Sequence, residues 1–206
     1  MHRVVIVGNG GHARACLDAW DPSSELVPVG YVGPAEGDVL GLSYLGGDDG
    51  LAGLAASGLV HAFVALGSGH VRSAATERCL AAGFDLVTIV APSAQVGATA
   101  SVGVGSIVLH KAVLGANVSV GRGSIINTGA TIDHDCVIGD FVHIAPGVNL
   151  AGTVTVGDGA MVGIGASVVP GIRIGVGATV GAGAVVIRDI PDGQTVVGVP
   201  AQEMTR

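Results

Sequence analysis

The chain has 206 residues, of which 36 are glycine, 49% are hydrophobic, 12% are charged and only 3% are aromatic. This excludes a disordered chain, which needs low hydrophobicity and high net charge, and a collagen, since glycine does not recur every third residue. A net charge of −7 disfavours a nucleic-acid backbone as partner; and despite a mean hydropathy of +0.66, no apolar run reaches the ~18 residues of a spanning helix, so no membrane insertion is expected.

Met1-His2-Arg3 leads directly into residues 4–7, which read as a strand and not as a signal peptide; a cytoplasmic protein is expected. Gly8-Asn9-Gly10-Gly11-His12-Ala13 follows, then a helical stretch to about Trp20. Residues 27–32 and 60–66 read as strands, Gly67-Ser68-Gly69 as a turn, 70–82 as a helix and 86–89 as a last strand. Strand, glycine-rich turn and helix in alternation predict a small parallel, Rossmann-like sheet over residues 1–89. The first turn matches G-x-G-x-x-[GA] after a strand, a pattern that lets backbone N–H groups approach a phosphate at a helix start. Nicotinamide binding also calls for an acidic residue after the second strand, where Val32 runs into Gly33-Pro34. A phosphate-bearing or nucleotide ligand and a purely structural turn both fit.

From Val90 to Val186 every sixth residue is Val, Ile or Leu, seventeen times without a break. The next position is usually small, as at Gly97, Gly103, Gly115, Gly121, Gly139, Gly157, Gly163, Gly175 and Gly181. Four places after each aliphatic stands a second small or aliphatic residue, such as Ala112, Ser124, Ala130, Cys136, Val142 or Ala166. Positions i and i+4 share one face of a strand, so both columns are expected to point inward. Short strands and tight corners repeated this way predict a β-solenoid. With three hexads to a triangular coil, each aliphatic stacks on its equivalent 18 residues away. A core of Val, Ile, Leu and Ala, poor in aromatics, suits identical stacked layers. Cys16, Cys79 and Cys136 are too few and too far apart for a disulfide framework or a CxxC pair, and read as buried, reduced thiols.

Of the seven histidines, His2 and His61 read as bystanders. His134 and His143 fall outside both inward columns and so face solvent or another subunit. His134 stands between Asp133 and Asp135, and a carboxylate bonded to one imidazole nitrogen raises the basicity of the other. Exposed polar residues at a corner are the alternative. His110 occupies the same place in its hexad but lies one coil plus one hexad away, on another face, beside Lys111 and no carboxylate. A zinc site shared between subunits would lack a third ligand, so no metal is expected.

The hexad array, with its ending Ile190-Pro191-Asp192-Gly193 and Val197-Gly198-Val199-Pro200-Ala201, resembles the left-handed parallel β-helix of hexapeptide-repeat acyltransferases. Including Gly8-x-Gly10-Gly11-His12 and Ile132-x-His134-Asp135-Cys136-x-Ile138-Gly139-x-Phe141-x-His143-Ile144, the chain is similar to the bacterial nucleotide-sugar N-acetyltransferases of the PglD and PerB type and to the NeuD sialic-acid O-acetyltransferases. The resemblance implies an α/β Rossmann-like nucleotide-sugar-binding domain (1–89), an all-β left-handed β-helix (90–206) and a homotrimer with active sites between subunits. It further implies acetyl-CoA as co-substrate and N-acetylation of a UDP- or GDP-linked 4-amino sugar. His134 would be the general base and Asp135 its basicity-raising partner. His143, Gly152, Ile164 and Ala182 would meet acetyl-CoA, with the Gly152 N–H on the thioester carbonyl; Gly10, Gly11, His12 and Gly67 would hold the nucleotide-sugar. Relatives that bind UDP-sugars carry an acidic pair where this chain has Gly33-Pro34, which leaves the nucleotide open. Sugar O-acetylation and a non-catalytic trimeric scaffold are the alternatives.

Overall fold

The structure is a computed structural model that describes residues 1–204. Its first part alternates strands and helices. β1 (His2–Val7), β2 (Leu26–Val32), β3 (His61–Val64) and β4 (Asp85–Leu86) form one sheet in the order β2-β1-β3-β4, and every pair is parallel. Val4, Val5, Ile6 and Val7 are all buried, as a strand covered on both faces requires. Helices α1 (Gly11–Asp18), α2 (Leu51–Ala56) and α3 (Gly69–Ala81) complete this part. The short α2 escapes the sequence reading because Leu51, Leu54 and Ala55 repeat the helical period for barely one turn. Gly8 is required by the fold: its φ is +127°, and a Cβ there would lie 2.8 Å from the Ala65 carbonyl oxygen.

The strand expected over 86–89 does not exist as one piece. The Val87 N–H still bonds to Ala62 O in the α/β sheet, whereas the Ile89 N–H bonds to Ser106 O. The backbone changes partners across Thr88, so β4 ends at Leu86 and the solenoid opens with Ile89–Val90.

Seventeen two-residue strands then run from Ile89–Val90 to Val185–Val186 and distribute over three parallel faces. Face one contains Ile107–Val108, Ile125–Ile126, His143–Ile144 and Met161–Val162; face two contains Val113–Leu114, Thr131–Ile132 and Asn149–Leu150; face three contains Ser119–Val120, Val137–Ile138 and Thr155–Val156. The register is 18 residues throughout, as in Ile126↔Ile144, Ile132↔Leu150 and Ile138↔Val156. The two inward columns fill one continuous core with Val108, Ile126, Ile144, Ala130, Cys136 and Val142 among its members. The first rungs depart from the expected burial: Val90 and Val96 are 41% and 37% exposed, because no coil stacks beyond them. Ile126→Ala is expected to cost about 2–5 kcal/mol, read as a lower denaturation midpoint, since the stacked rungs cannot close the cavity.

The outward column of face one explains how the two parts join. Ile89, Ile107 and Ile125 are buried in a second core with Trp20, Phe63 and Ala13 of the α/β part. Among the described residues no helix is long and apolar enough to cross a membrane.

Candidate active site

His134 lies at the corner that follows the face-two strand Thr131–Ile132. Its Nδ1 is 2.9 Å from Asp135 Oδ2, and its backbone N–H donates to Asp133 Oδ1 at 2.8 Å. Asp135 has φ +58°, at a corner position where most other hexads place glycine, and it therefore carries backbone strain. Its second oxygen, Oδ1, accepts from Asn117 Nδ2 at 3.0 Å. Asn117 occupies the equivalent corner one coil earlier, 18 residues before Asp135. The sequence reading did not single it out, although that spacing pointed to it. The Asp135 hydrogen bond and then the Asp133 charge raise the His134 pKa above its ordinary value. Asn117, followed by His134 itself, lowers that of Asp135. With Nδ1 bonded to a carboxylate, the free Nε2 is the basic nitrogen.

The imidazole lies close against Gly152, one coil further on. An ideal Cβ at Gly152 would sit 2.5 Å from His134 Cε1 and 2.6 Å from Nε2. Among the described residues the Gly152 N–H meets no protein acceptor, although its carbonyl accepts from Gly171. A groove of about 330 Å³ lined by Gly115, Asp133, Asn149 and Ala151 runs along face two to this corner. Ala151 also packs beside the inward Cys136, whose thiol donates to the Ala151 carbonyl at 3.2 Å.

A second group gathers where the two parts of the chain meet. His143 stands in the outward column of face one, one coil beyond Ile125, at the rim of the interdomain contact. Asn127 Nδ2 lies 3.1 Å from its Nε2. His12, in the first turn of α1, brings its ring centroid to 6.4 Å from that of His143; the Gly67 backbone hydrogen-bonds His143, and a Cβ at Gly67 would come to 4.0 Å from His12 Cβ. Burial lowers the pKa of both imidazoles to about 4; for His12 the His143 charge and then the Arg72 charge add to this, and for His143 the Arg72 charge does. A histidine that ionises more easily unfolded than folded destabilises the fold on acidification. The stability gained by keeping this pair neutral is complete above pH ~6.5 and is lost as pH falls toward about 4. Tm measured across that range is expected to fall more steeply in the wild type than in a His12→Asn, His143→Gln double variant.

Gly10 and Gly11 open α1 with no side-chain cap on its N-terminus. A Cβ at Gly10 would meet nothing, and one at Gly11 would approach only Arg14 Nη2, at 4.0 Å. The fold does not demand glycine at either position, and the space above them is open. Ile164 and Ala182 are exposed and stack one coil apart at the corner after face one. The structure thus brings together His134, Asp135 and Gly152, and separately His12, Gly67 and His143. Within one chain it does not bring Ile164 and Ala182 to His134, since they follow a different face. His110 does have a carboxylate nearby, contrary to its sequence neighbourhood: Asp18 Oδ2 of α1 lies at 3.7 Å, and Ser93 Oγ at 2.7 Å from Nδ1. Among the described residues no three His, Cys, Asp or Glu side chains gather as metal ligands would.

A hexad solenoid joined to a Rossmann-like sheet, with a carboxylate-tuned imidazole over a free backbone N–H, is equipped for acyl transfer. The family described as PglD N-terminal domain matches residues 3–79. PerB from Caulobacter crescentus, solved in complex with CoA and GDP-perosamine, superposes with a TM-score of 0.93 at 38% identity, covering 100% of this chain and 98% of that one. A histidine-to-asparagine mutant of perosamine N-acetyltransferase from the same organism gives a TM-score of 0.94 at 37% identity, with the same coverage. The acetyltransferase domain of PglB from Neisseria gonorrhoeae, in complex with acetyl coenzyme A, gives 0.90 at 36% identity over 98% of this chain and 99% of that one. The chain belongs to the PglD/PerB family of sugar acetyltransferases. No curated protein sequence matches it significantly.

Proposed function

We propose that the protein transfers acetyl from acetyl-CoA to the amino group of a UDP- or GDP-linked 4-amino sugar, with His134 as general base. The observation that carries this reading is the 2.9 Å contact between His134 Nδ1 and Asp135, which leaves a basic Nε2 facing outward over Gly152. The relatives solved with CoA, acetyl coenzyme A and GDP-perosamine support the substrate class.

In this reading the sugar amine attacks the thioester carbonyl carbon and the C–N bond forms. His134 Nε2 takes the amine proton, while the Gly152 N–H donates to the carbonyl oxygen as it becomes an oxyanion. Collapse of the tetrahedral intermediate breaks the C–S bond, the imidazolium gives its proton to the departing thiolate, and CoA leaves with the amide formed. Asp135 holds the Nδ1 proton and stabilises the imidazolium. His143, Ile164 and Ala182 are assigned to acetyl-CoA, and Gly10, Gly11, His12 and Gly67 to the nucleotide-sugar. The open N–H groups at the start of α1 suit its phosphates. The separation of these groups on different faces of one solenoid supports a homotrimer, in which neighbouring solenoids complete each site. A solution mass three times that of the chain is the expected result.

The reading is tested by acetyl transfer to UDP-, GDP-, CMP- and dTDP-linked sugars carrying either an amine or only hydroxyls. Transfer to the amine sugars is expected; transfer confined to hydroxyls would make the protein an O-acetyltransferase, and no transfer to any would overturn the reading. Because the base must be neutral, kcat/KM is expected to fall as pH drops through the raised His134 pKa. Asp135→Asn removes the main cause of that rise. The acid limb should therefore move to lower pH, short of the unperturbed position because Asp133 remains, and the plateau should drop about tenfold as the base weakens.

A further inference from the structure

The α3 helix carries a charge that the proposed chemistry does not use. Arg72 is 1% exposed and has no carboxylate partner among the described residues. All of its N–H bonds go to main-chain carbonyls. Nε donates to Gly123 O at 2.6 Å, and Nη2 to Phe141 O at 2.8 Å and Val142 O at 3.3 Å, all on the solenoid. Nη1 donates to Leu66 O and Gly67 O, both at 2.9 Å, on the loop after β3. Gly123 and Phe141 are equivalent corner residues of adjacent coils, both in the left-handed region with φ of +59° and +55°.

Burying a cation without a counter-ion is costly. A side chain needed only to fill this space would be apolar. A lysine has no planar fork to reach both sides at once. What the fork joins is specific: on one side Gly67, whose backbone hydrogen-bonds His143 and which faces His12; on the other Val142, the residue before His143.

We propose that Arg72 is a positioning residue for acetyl transfer: it clamps the Gly67 loop to the solenoid backbone beside His143, so that Gly67 and His12 hold the nucleotide-sugar pocket in its bound shape before substrate arrives. This rests on the nucleotide-sugar reading of that pocket. The charged and titratable groups facing one another there are Arg72, His12, His143 and the Cys16 thiol, which is 3.5 Å from His12 Nε2. Burial lowers the Arg72 pKa to about 10, so it stays cationic at neutral pH, and its charge helps keep both imidazoles neutral.

The test uses the full chain with Arg72→Lys, Arg72→Met and Gly69→Ala. The last keeps Arg72 but places a Cβ 3.0 Å from Phe141 O, prising the start of α3 from the solenoid. In both Arg72 variants KM for the nucleotide-sugar is expected to rise about tenfold or more, with kcat and KM for acetyl-CoA within about threefold of wild type. Gly69→Ala should move the same way, by less. The His12 and His143 ring titrations followed by NMR should shift to higher pH in Arg72→Met but not in Arg72→Lys, and amide exchange at residues 66–69 should speed up in both. An unchanged KM for the nucleotide-sugar, or a loss of rate that only tracks the folded fraction, would overturn the proposal. If Arg72→Met fails to fold, the lysine and Gly69 variants decide. The titration and exchange measurements need no turnover; a wild type that acetylates nothing while these shifts appear would fail the functional reading alone.

Discussion

His134→Ala is expected to lower kcat by roughly 10²–10⁴, the usual contribution of a general base, with acetyl-CoA affinity nearly unchanged. The magnitude follows from what the side chain touches. The imidazole is 57% exposed and takes no part in the core, so its removal should leave Tm close to that of the wild type. Its one strong bond is to Asp135, whose orientation Asn117 fixes in turn, an arrangement that serves the ring and not the solenoid. The rate that survives in the alanine variant should also lose its acid limb, since the group that titrated there is gone. Exogenous imidazole at millimolar concentration should restore part of the rate. Full turnover in a folded His134→Ala would remove the general base from the account and leave the corner as ordinary exposed polar surface.

What the sequence revealed of this architecture divides along a physical line. The solenoid was legible because every rung meets an identical rung: a local pattern of six, repeated seventeen times, specifies the packing without knowledge of distant residues. His134 and Asp135 were legible for the same reason, since adjacency in the chain puts both at one corner. Gly152 came only through family resemblance, yet 18 residues is one coil, so the repeat itself sets it beneath His134. Asn117 could have been found by the same step in the other direction. The docking of the α/β part was not read, although a faint signal was present: Ile89, Ile107 and Ile125 follow one another on one face of an outward column that on the other faces mixes Ser, Thr, Asn and Arg with Val113, Val137 and Val185. The meeting of His12 with His143 depends on that docking and on nothing local. Arg72 was beyond reach, because its partners are carbonyl oxygens, and every residue has one.

The second large effect is expected at a position where the smallest substitution is made. Gly152→Ala should lower kcat by about 10² or more while changing stability by no more than about 1 kcal/mol. The stability half rests on the backbone, which at Gly152 lies outside the left-handed region, and on the equivalent corners of adjacent coils, which carry Ala116, His134 and Pro170. The solenoid therefore tolerates a Cβ at this place. The activity half rests on the ring: a methyl built 2.5 Å from Cε1 and 2.6 Å from Nε2 overlaps the imidazole and must displace it by about an ångström, a shift that commonly costs about 10²-fold. Displacement also stretches the bond to Asp135, so the His134 pKa, raised in the wild type, should fall back toward its ordinary value in an NMR titration of the variant. That second readout separates two roles of the glycine. Alanine keeps the backbone N–H, so a loss of rate in this variant is not the loss of the oxyanion donor. A folded Gly152→Ala with wild-type kcat and an unshifted His134 would show that the close packing of ring on glycine is irrelevant to the chemistry. Loss of rate together with the lowered pKa would place the glycine's lack of a side chain, as much as its N–H, in the working geometry of the site.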